Sequence, residues 1–320
     1  MLRGTVLLAA SLLAASCATA PPAIGPQLPD DAPVERELTH VPFFPQEDYQ
    51  CGPAALATVL AASGVDVTAD ALTRQVYLPG RRGSLQTELI AATRRHDRLP
   101  YRLEGGLPAL LAQVDAGHPV VVLQNLGFKR WPRWHYAVVV GYSAADGTLM
   151  LRSGTTRRLS MPAWLFQRTW RDSNEWALMT LPPDELPAEP DPDAWVEAAA
   201  ALEATGKTDA AHQAFAVAVR QWPDHSAARL GLSNTLYQRG DAAGAEAVLR
   251  ELVADLPDYH AARNNLAHVL AERGCVSEAR AVIAPLVDDE SVSPGIREAA
   301  ARTSSTWPSV QPDAEACGPR

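Results

Sequence analysis

The feature that most constrains this chain is a 34-residue repeat in its C-terminal half. Gly206, Gly240 and Gly274 are spaced by 34 residues, and other small, large and proline positions follow the same period. The matching sets are Leu202, Leu236 and Leu270; Ala211, Ala245 and Ala279; Phe215, Leu249 and Ile283; Pro223 and Pro257. Repeats of this kind bury their apolar faces by stacking on their neighbours. The period predicts three stacked units over residues 192–291.

This spacing resembles the tetratricopeptide repeat (TPR), with Trp195 in the aromatic place of the first unit. The resemblance implies an all-α solenoid in which Ala211 lets two helices pack closely. Such solenoids present a groove for a protein partner and carry no chemistry of their own. The run Gly206-Lys207-Thr208 fits a loose phosphate-loop pattern, but a helix precedes it where that loop needs a strand. No nucleotide is therefore expected.

Charge divides the rest of the chain. The net charge is −9, which excludes a generally nucleic-acid-binding protein. Residues 40–181 nevertheless carry an excess of Lys and Arg, whereas the repeats are acidic. Two proline-rich stretches flank the basic region, and they predict a tether at residues 18–38 and a linker at residues 182–191. We therefore expect a first domain at residues 39–181 and a C-terminal tail at residues 292–320.

The N-terminus has the pattern of an export signal. Arg3 precedes a short apolar run, and Cys17 follows small residues in Leu13-Ala-Ala-Ser-Cys17. This resembles the lipobox of bacterial lipoproteins, which implies a signal peptide at residues 1–17 and acyl chains on Cys17. Ala18 after the cysteine favours the outer membrane, so the expected location is the cell envelope, lipid-anchored and facing the periplasm. The alternative is ordinary signal-peptide cleavage near Cys17, in which Cys17 carries no acyl chain and has no role.

The first domain has a candidate nucleophile in Cys51. Gly52 and Pro53 follow it and open an alanine-rich helical pattern. Proline suits the first turn of a helix, so Cys51 is predicted to lie at a helix N-terminus. There the helix dipole and free N–H groups favour the thiolate, which predicts a lowered pKa for Cys51.

His135 is the candidate base for that nucleophile. It opens a β-branched segment that predicts a buried strand, and a strand can place an imidazole against a cysteine at a helix start. Gln46, five residues before Cys51, could donate its side-chain amide to an oxyanion.

Together Gln46, Cys51-Gly-Pro-Ala-Ala-Leu and His135-Tyr-Ala-Val-Val-Val-Gly-Tyr resemble the double-glycine, or bacteriocin-leader, cysteine peptidases and their exported relatives. The resemblance covers about residues 38–181, including the strand that follows His118. It implies an α+β papain-like fold, with Cys51 as nucleophile, His135 as base and Gln46 as oxyanion donor. Neither a cofactor nor a metal is expected.

The sequence departs from that family in two places. Members often have the glutamine six residues before the cysteine, and Gln50 is a less suitable substitute here. The family's orienting aspartate normally follows the histidine by one β-hairpin, and Ser153 takes that place. Asp146 is better explained as a turn residue before a glycine. Asn125 on a neighbouring strand could substitute for the aspartate.

Two further features leave alternatives open. Cys275 and Cys317 could form a disulfide in an oxidising compartment, unless the tail is disordered. Residues 129–134, a basic and aromatic stretch before His135, could line a groove for acidic peptides or form a well-anchored loop.

The sequence thus predicts a membrane-anchored cysteine peptidase that acts on a peptide or protein, with TPR units that bind a partner or the substrate. The alternative is an inactive, peptidase-like lipoprotein that binds peptides or assembles other proteins.

Overall fold

The computed structural model describes residues 24–28, 30–46 and 50–307. An N-terminal domain with a seven-stranded sheet is followed by a run of helices. The strands are β1 (Glu35–Glu37), β2 (Leu99–Arg102), β3 (Val120–Asn125), β4 (Trp134–Ser143), β5 (Thr148–Ser153), β6 (Thr156–Pro162) and β7 (Ala177–Leu181). The helices of this domain are α1 (Cys51–Ala62), α2 (Ala69–Val76), α3 (Gln86–Arg95), α4 (Gly106–Asp115) and α5 (Ala163–Arg171).

The sheet has the order β2-β7-β3-β4-β5-β6, with every neighbouring pair antiparallel. Strand β4 lies near its middle and also pairs with β1, where Glu37 lies opposite Gly141. A Cβ at Gly141 would overlap the backbone of Arg36, so only glycine permits this close approach. The N-terminal strand is thereby joined to the strand that carries His135.

Helix α1 is the central helix of the domain. Every residue from Gly52 to Leu60 is buried, which matches a segment that is apolar on all sides. The helix packs against β4 and against α2 and α3. This burial fixes the place of its first residue, Cys51.

The proline-rich tether that the sequence predicts for residues 18–38 is wrong from Ile24 onward. Ile24 and Leu38 are buried in the core of the domain. Leu38 N–H also donates to the carbonyl of Val140, and β1 extends the sheet. Proline content indicated an extended segment, but buried apolar side chains attach that segment to the domain.

The C-terminal half consists of helix pairs with the predicted period. The helices are α6 (Pro192–Ala204), α7 (Thr208–Gln221), α8 (Ser226–Gln238), α9 (Ala242–Asp255), α10 (His260–Glu272), α11 (Val276–Asp288) and α12 (Pro294–Ser305). Gly206, Gly240 and Gly274 join the two helices of each pair and have positive φ, which glycine adopts without steric cost. Residues 294–305 form a helix packed on α10 and α11, so the predicted tail is structured in this part.

The first repeat is part of the same core as the sheet domain. Trp195 of α6 is fully buried, and its ring centroid lies 6.5 Å from that of Tyr101 on β2. The backbone N–H of Asp191 donates to the Tyr101 hydroxyl, and Gln113 exchanges two hydrogen bonds with the backbone of Ala188. Lys207 reaches back to Asp97 at 2.9 Å. The predicted linker at residues 182–191 is therefore held against both domains.

Close packing of Phe215 on Gly231 generates a prediction about the repeats. A Cβ at Gly231 would overlap the Phe215 ring, so we expect Gly231→Ala to lower the free energy of unfolding by about 1–3 kcal/mol. Gly295→Ala is the matched control, since a Cβ there meets no atom within 4 Å. Urea unfolding followed by circular dichroism measures both. Equal midpoints for the two variants would contradict the packing described here.

Candidate active site

Cys51 is the first residue of α1 and the free cysteine of the described residues. The carbonyl of Gln50 accepts from the backbone N–H of Ala54, which closes the first turn. Gly52 is required by its surroundings, because a Cβ there would overlap the side chain of Ser84. The thiol is partly exposed at the start of a helix that is otherwise buried.

The Cys51 thiol faces the beginning of β4. The backbone N–H of Tyr136, next to His135, acts on the sulfur as a hydrogen-bond donor, together with the N–H groups of Gly52 and Cys51 itself. The Tyr136 hydroxyl donates to the carbonyl of Ser84 at 3.4 Å. The helix start, the strand start and the loop at Ser84 therefore meet at one point.

His135 is half-buried at the start of β4, and its Nε2 lies 2.8 Å from Ser153 Oγ at the end of β5. The structure thus places Ser153 beside the imidazole, where the sequence led us to expect an orienting residue. With Nε2 engaged, Nδ1 is the ring nitrogen left to exchange a proton with a thiol. That exchange requires Nε2 to carry the ring proton and donate it to Ser153 Oγ.

Burial sets the protonation of both groups. It raises the pKa of the Cys51 thiol, and the three backbone N–H groups offset this only in part. Burial also lowers the pKa of His135, and the charge of Arg133 lowers it further. The lowered Cys51 pKa that the sequence predicts is therefore wrong, because desolvation outweighs the donors at the helix start. The resting pair is a neutral thiol and a neutral imidazole.

The backbone of Gln46 is hydrogen-bonded to the turn that follows Ser153. Its N–H donates to the carbonyl of Gly154, the residue after Ser153, at 3.2 Å. That the Gln46 side-chain amide stabilises an oxyanion stays a prediction. Residues 47–49, which connect Gln46 to the start of α1, lie outside the described residues. Gln50 accepts a 3.5 Å hydrogen bond from Thr73, so its amide oxygen is already engaged.

Asn125 does not take the place of the aspartate, contrary to the alternative considered from the sequence. Its Oδ1 accepts from the backbone N–H groups of Gly127 and Arg133, and its Nδ2 donates to Asp172. Asp146 accepts from Ser143 within the β4–β5 turn, as expected of a turn residue. His118 pairs with Glu185 at 3.8 Å, in keeping with a structural role.

Two features near the site were missed from the sequence. Ser84 Oγ is buried and lacks a hydrogen-bond partner among the described residues, although it abuts Gly52. Arg152, buried next to Ser153, forms an ion pair with Glu37 at 3.5 Å and fixes β1 to β5. Both depend on contacts between distant parts of the chain, and no local pattern marks them.

The remaining sequence predictions fall largely outside the described residues. Cys17 and Cys317 both lie there. Cys275 is 1% exposed and disulfide-bonded, but its pairing with Cys317 stays a prediction. Within the part of the chain that the structure describes, no helix is long and apolar enough to cross a bilayer. In the same part, no group of three or more His, Cys, Asp or Glu side chains could hold a metal ion.

A cysteine at the start of a buried helix, beside a strand that carries a histidine as its second residue, is the arrangement of a papain-like cysteine peptidase domain. Residues 38–170 match the model of the Peptidase C39-like family, and residues 202–261 and 236–302 match the tetratricopeptide repeat. The N-terminal domain is thus similar to the C39-like peptidase family, and segments that match the tetratricopeptide repeat follow it.

Solved structures with a similar fold include two bacterial proteins. One is described as a C39-like peptidase from Bacillus anthracis, with 18% identity and a TM-score of 0.38, and the match covers 45% of this chain and 96% of that one. The other is the peptidase domain of Streptococcus ComA, a bifunctional ABC transporter involved in quorum sensing, with 22% identity and a TM-score of 0.37. That match covers 45% of this chain and 99% of the other. Among curated proteins, none matches this chain.

The neutral resting pair predicts how Cys51 reacts with an alkylating agent. Because burial raises the thiol pKa, the reaction rate should rise with pH to a midpoint above the free-cysteine value of about 8.5. His135→Ala should shift this midpoint little, because the neutral ring contributes no charge to stabilise a thiolate. Mass spectrometry of the Cys51 peptide follows the reaction.

The urea-unfolded chain is the control, and its Cys51 should titrate at the ordinary value. A midpoint well below that value, lost in His135→Ala, would show a thiolate–imidazolium pair and contradict the neutral one.

Proposed function

We propose that this protein is a cysteine peptidase that cleaves a peptide bond through a thioester on Cys51. The observation that carries the proposal is the convergence of Cys51, at the start of α1, with the first residues of β4. There His135 is hydrogen-bonded to Ser153, and the N–H of Tyr136 faces the thiol. A nucleophile beside a base that is held by a third group is the arrangement of nucleophilic catalysis.

The neutral pair defines the first step. The thiol sulfur attacks the substrate carbonyl while its proton passes to Nδ1 of His135, so charge develops only as the bond forms. The resulting oxyanion is stabilised by the backbone N–H of Cys51 and the Gln46 amide. His135 then gives the proton to the leaving amine, and the C–N bond breaks to leave the acyl thioester. Water, deprotonated by His135, hydrolyses the thioester and regenerates the thiol.

Ser153 acts in this scheme as a positioning residue. An aspartate only accepts hydrogen bonds, and it would force the proton onto Nε2. A serine hydroxyl both donates and accepts, so it permits either tautomer. It also lacks the negative charge that would stabilise an imidazolium. The site is therefore expected to work more slowly than one with a carboxylate.

In this proposal, the N-terminus anchors the protein in a membrane and the repeats bind the substrate or a partner. Acyl chains on Cys17 would anchor the protein in the cell envelope, facing the periplasm and most consistent with the outer membrane. The repeats would hold the substrate or a protein partner. They are fixed to the peptidase domain through Trp195 and Asp191, so a bound partner is held next to that domain.

A binding module without turnover is the second candidate. The raised Cys51 pKa and the uncharged partner of His135 favour it, since both weaken the nucleophile. The surface around Cys51 and His135 would then hold a peptide without cleaving it.

Substitution of Cys51 or His135 distinguishes a peptidase from a binding module. With a peptide library as substrate and mass spectrometry as readout, we expect Cys51→Ala and His135→Ala each to lower cleavage by at least about 10³-fold. His118→Ala, which changes a histidine bonded to Glu185 elsewhere, should retain it. Peptides that bind the unchanged chain and Cys51→Ala equally, with no cleavage by either, would support the binding module.

Ser153 offers a test of positioning. Ser153→Ala removes one neutral hydrogen bond worth about 0.5–1.5 kcal/mol, so we expect kcat to fall about tenfold or less. Ser153→Asp should raise kcat and move the pH midpoint of Cys51 alkylation downward, because a carboxylate stabilises the imidazolium. A Ser153 that does not position His135 would leave that midpoint unchanged in Ser153→Asp and kcat unchanged in Ser153→Ala.

A further inference from the structure

The tip of the β3–β4 connection exposes large aromatic rings to solvent. Residues 126–134, here called the aromatic hairpin, connect β3 to β4, and residues 128–134 are all exposed. Phe128 and Trp131 are 73% and 72% exposed, and Trp134 is half exposed. Rings of this size are seldom left in water without a partner, so their clustering marks an interaction surface.

The aromatic hairpin is a braced structure. Phe128 and Trp131 exchange two backbone hydrogen bonds, and Leu126 N–H donates to the carbonyl of Arg133. Asn125 accepts from the N–H groups at positions 127 and 133, which closes the base of the loop. A Cβ at Gly127 would overlap the carbonyl of Trp131. The backbone thus holds the exposed rings on a defined ribbon.

Cations alternate with these rings. Lys129, Arg130 and Arg133 lie within the aromatic hairpin, which contains no Asp or Glu. A groove of about 660 Å³ separates it from α5, where Arg168 and Arg171 add two more cations. Asp172 in that groove already accepts from Asn125 and lies 4.0 Å from Lys129. The surface therefore combines apolar rings with a strong positive charge.

The start of the described chain lies close to the same helix. Gln167 of α5 donates to the side chain of Gln27 at 3.4 Å. Gln27 lies ten positions after Cys17, and ten residue steps, fully extended, reach at most about 36 Å. If Cys17 carries the acyl chains proposed above, Gln27 is held within that distance of the bilayer, and the aromatic hairpin lies across the groove from the helix that Gln27 contacts.

We propose that the aromatic hairpin seats the domain on the surface of a bilayer containing anionic lipid. Its rings would lie at headgroup level, where Trp is favoured, and Lys129, Arg130 and Arg133 would contact lipid phosphates. An acidic peptide could meet the same charges. The exposed rings on a braced ribbon and the short chain between Cys17 and the residue that contacts α5 favour the bilayer.

Vesicle binding tests this proposal without the lipid anchor. The protein is the chain from residue 17 onward with Cys17→Ser, and the vesicles contain equal parts of phosphatidylcholine and phosphatidylglycerol. We expect Phe128→Ser with Trp131→Ser to lower co-sedimentation roughly tenfold, because membrane binding scales with buried apolar area. Lys129→Glu with Arg130→Glu should remove the preference for these vesicles over pure phosphatidylcholine.

Two controls separate this surface from the active site and from nonspecific adhesion. Leu256→Ser removes an exposed apolar side chain in the repeats and should leave vesicle binding unchanged, as should Cys51→Ala. Unchanged binding of Phe128→Ser with Trp131→Ser would overturn the proposal. If that variant lost peptide cleavage in the absence of vesicles and kept vesicle binding, the surface would instead be a peptide site.

Discussion

The burial of α1 is the constraint on which the rest of the peptidase domain depends. Its residues from Gly52 to Leu60 are enclosed by the sheet on one side and by α2 and α3 on the other. A helix with no solvent face cannot rotate or slide without exposing apolar surface, so its first residue has a fixed position. That position puts Cys51 against the beginning of β4. The geometry of the candidate site is therefore a consequence of core packing.

The sequence predicted those parts of the protein that depend on local pattern. The repeats could be identified because their period reflects contacts between neighbouring units, and α1 could be identified because Gly52 and Pro53 open a continuous apolar run. Ser153 was located by counting one hairpin beyond His135. In each case the residues that determine the structure lie close together in the chain.

Predictions failed where the outcome depends on contacts between distant segments. The Cys51 pKa follows from its burial against β4, which a helix-start argument does not include. Asn125 is fully engaged by Asp172 and by the backbone of the aromatic hairpin, so its availability could not be judged from its strand alone. Ile24 becomes part of the core although prolines surround it. Each error concerns which groups a side chain meets in three dimensions.

The neutral state of Cys51 also bears on its survival. A thiol becomes vulnerable to oxidation through its thiolate form, and sulfinic and sulfonic acids form irreversibly. Burial that keeps the proton on Cys51 therefore slows its conversion to these products. In the exported protein proposed above, outside the reducing systems of the cytosol, a thiol kept protonated in this way would stay reduced for longer. The desolvation that makes the resting thiol a weak nucleophile would thus also slow its irreversible oxidation.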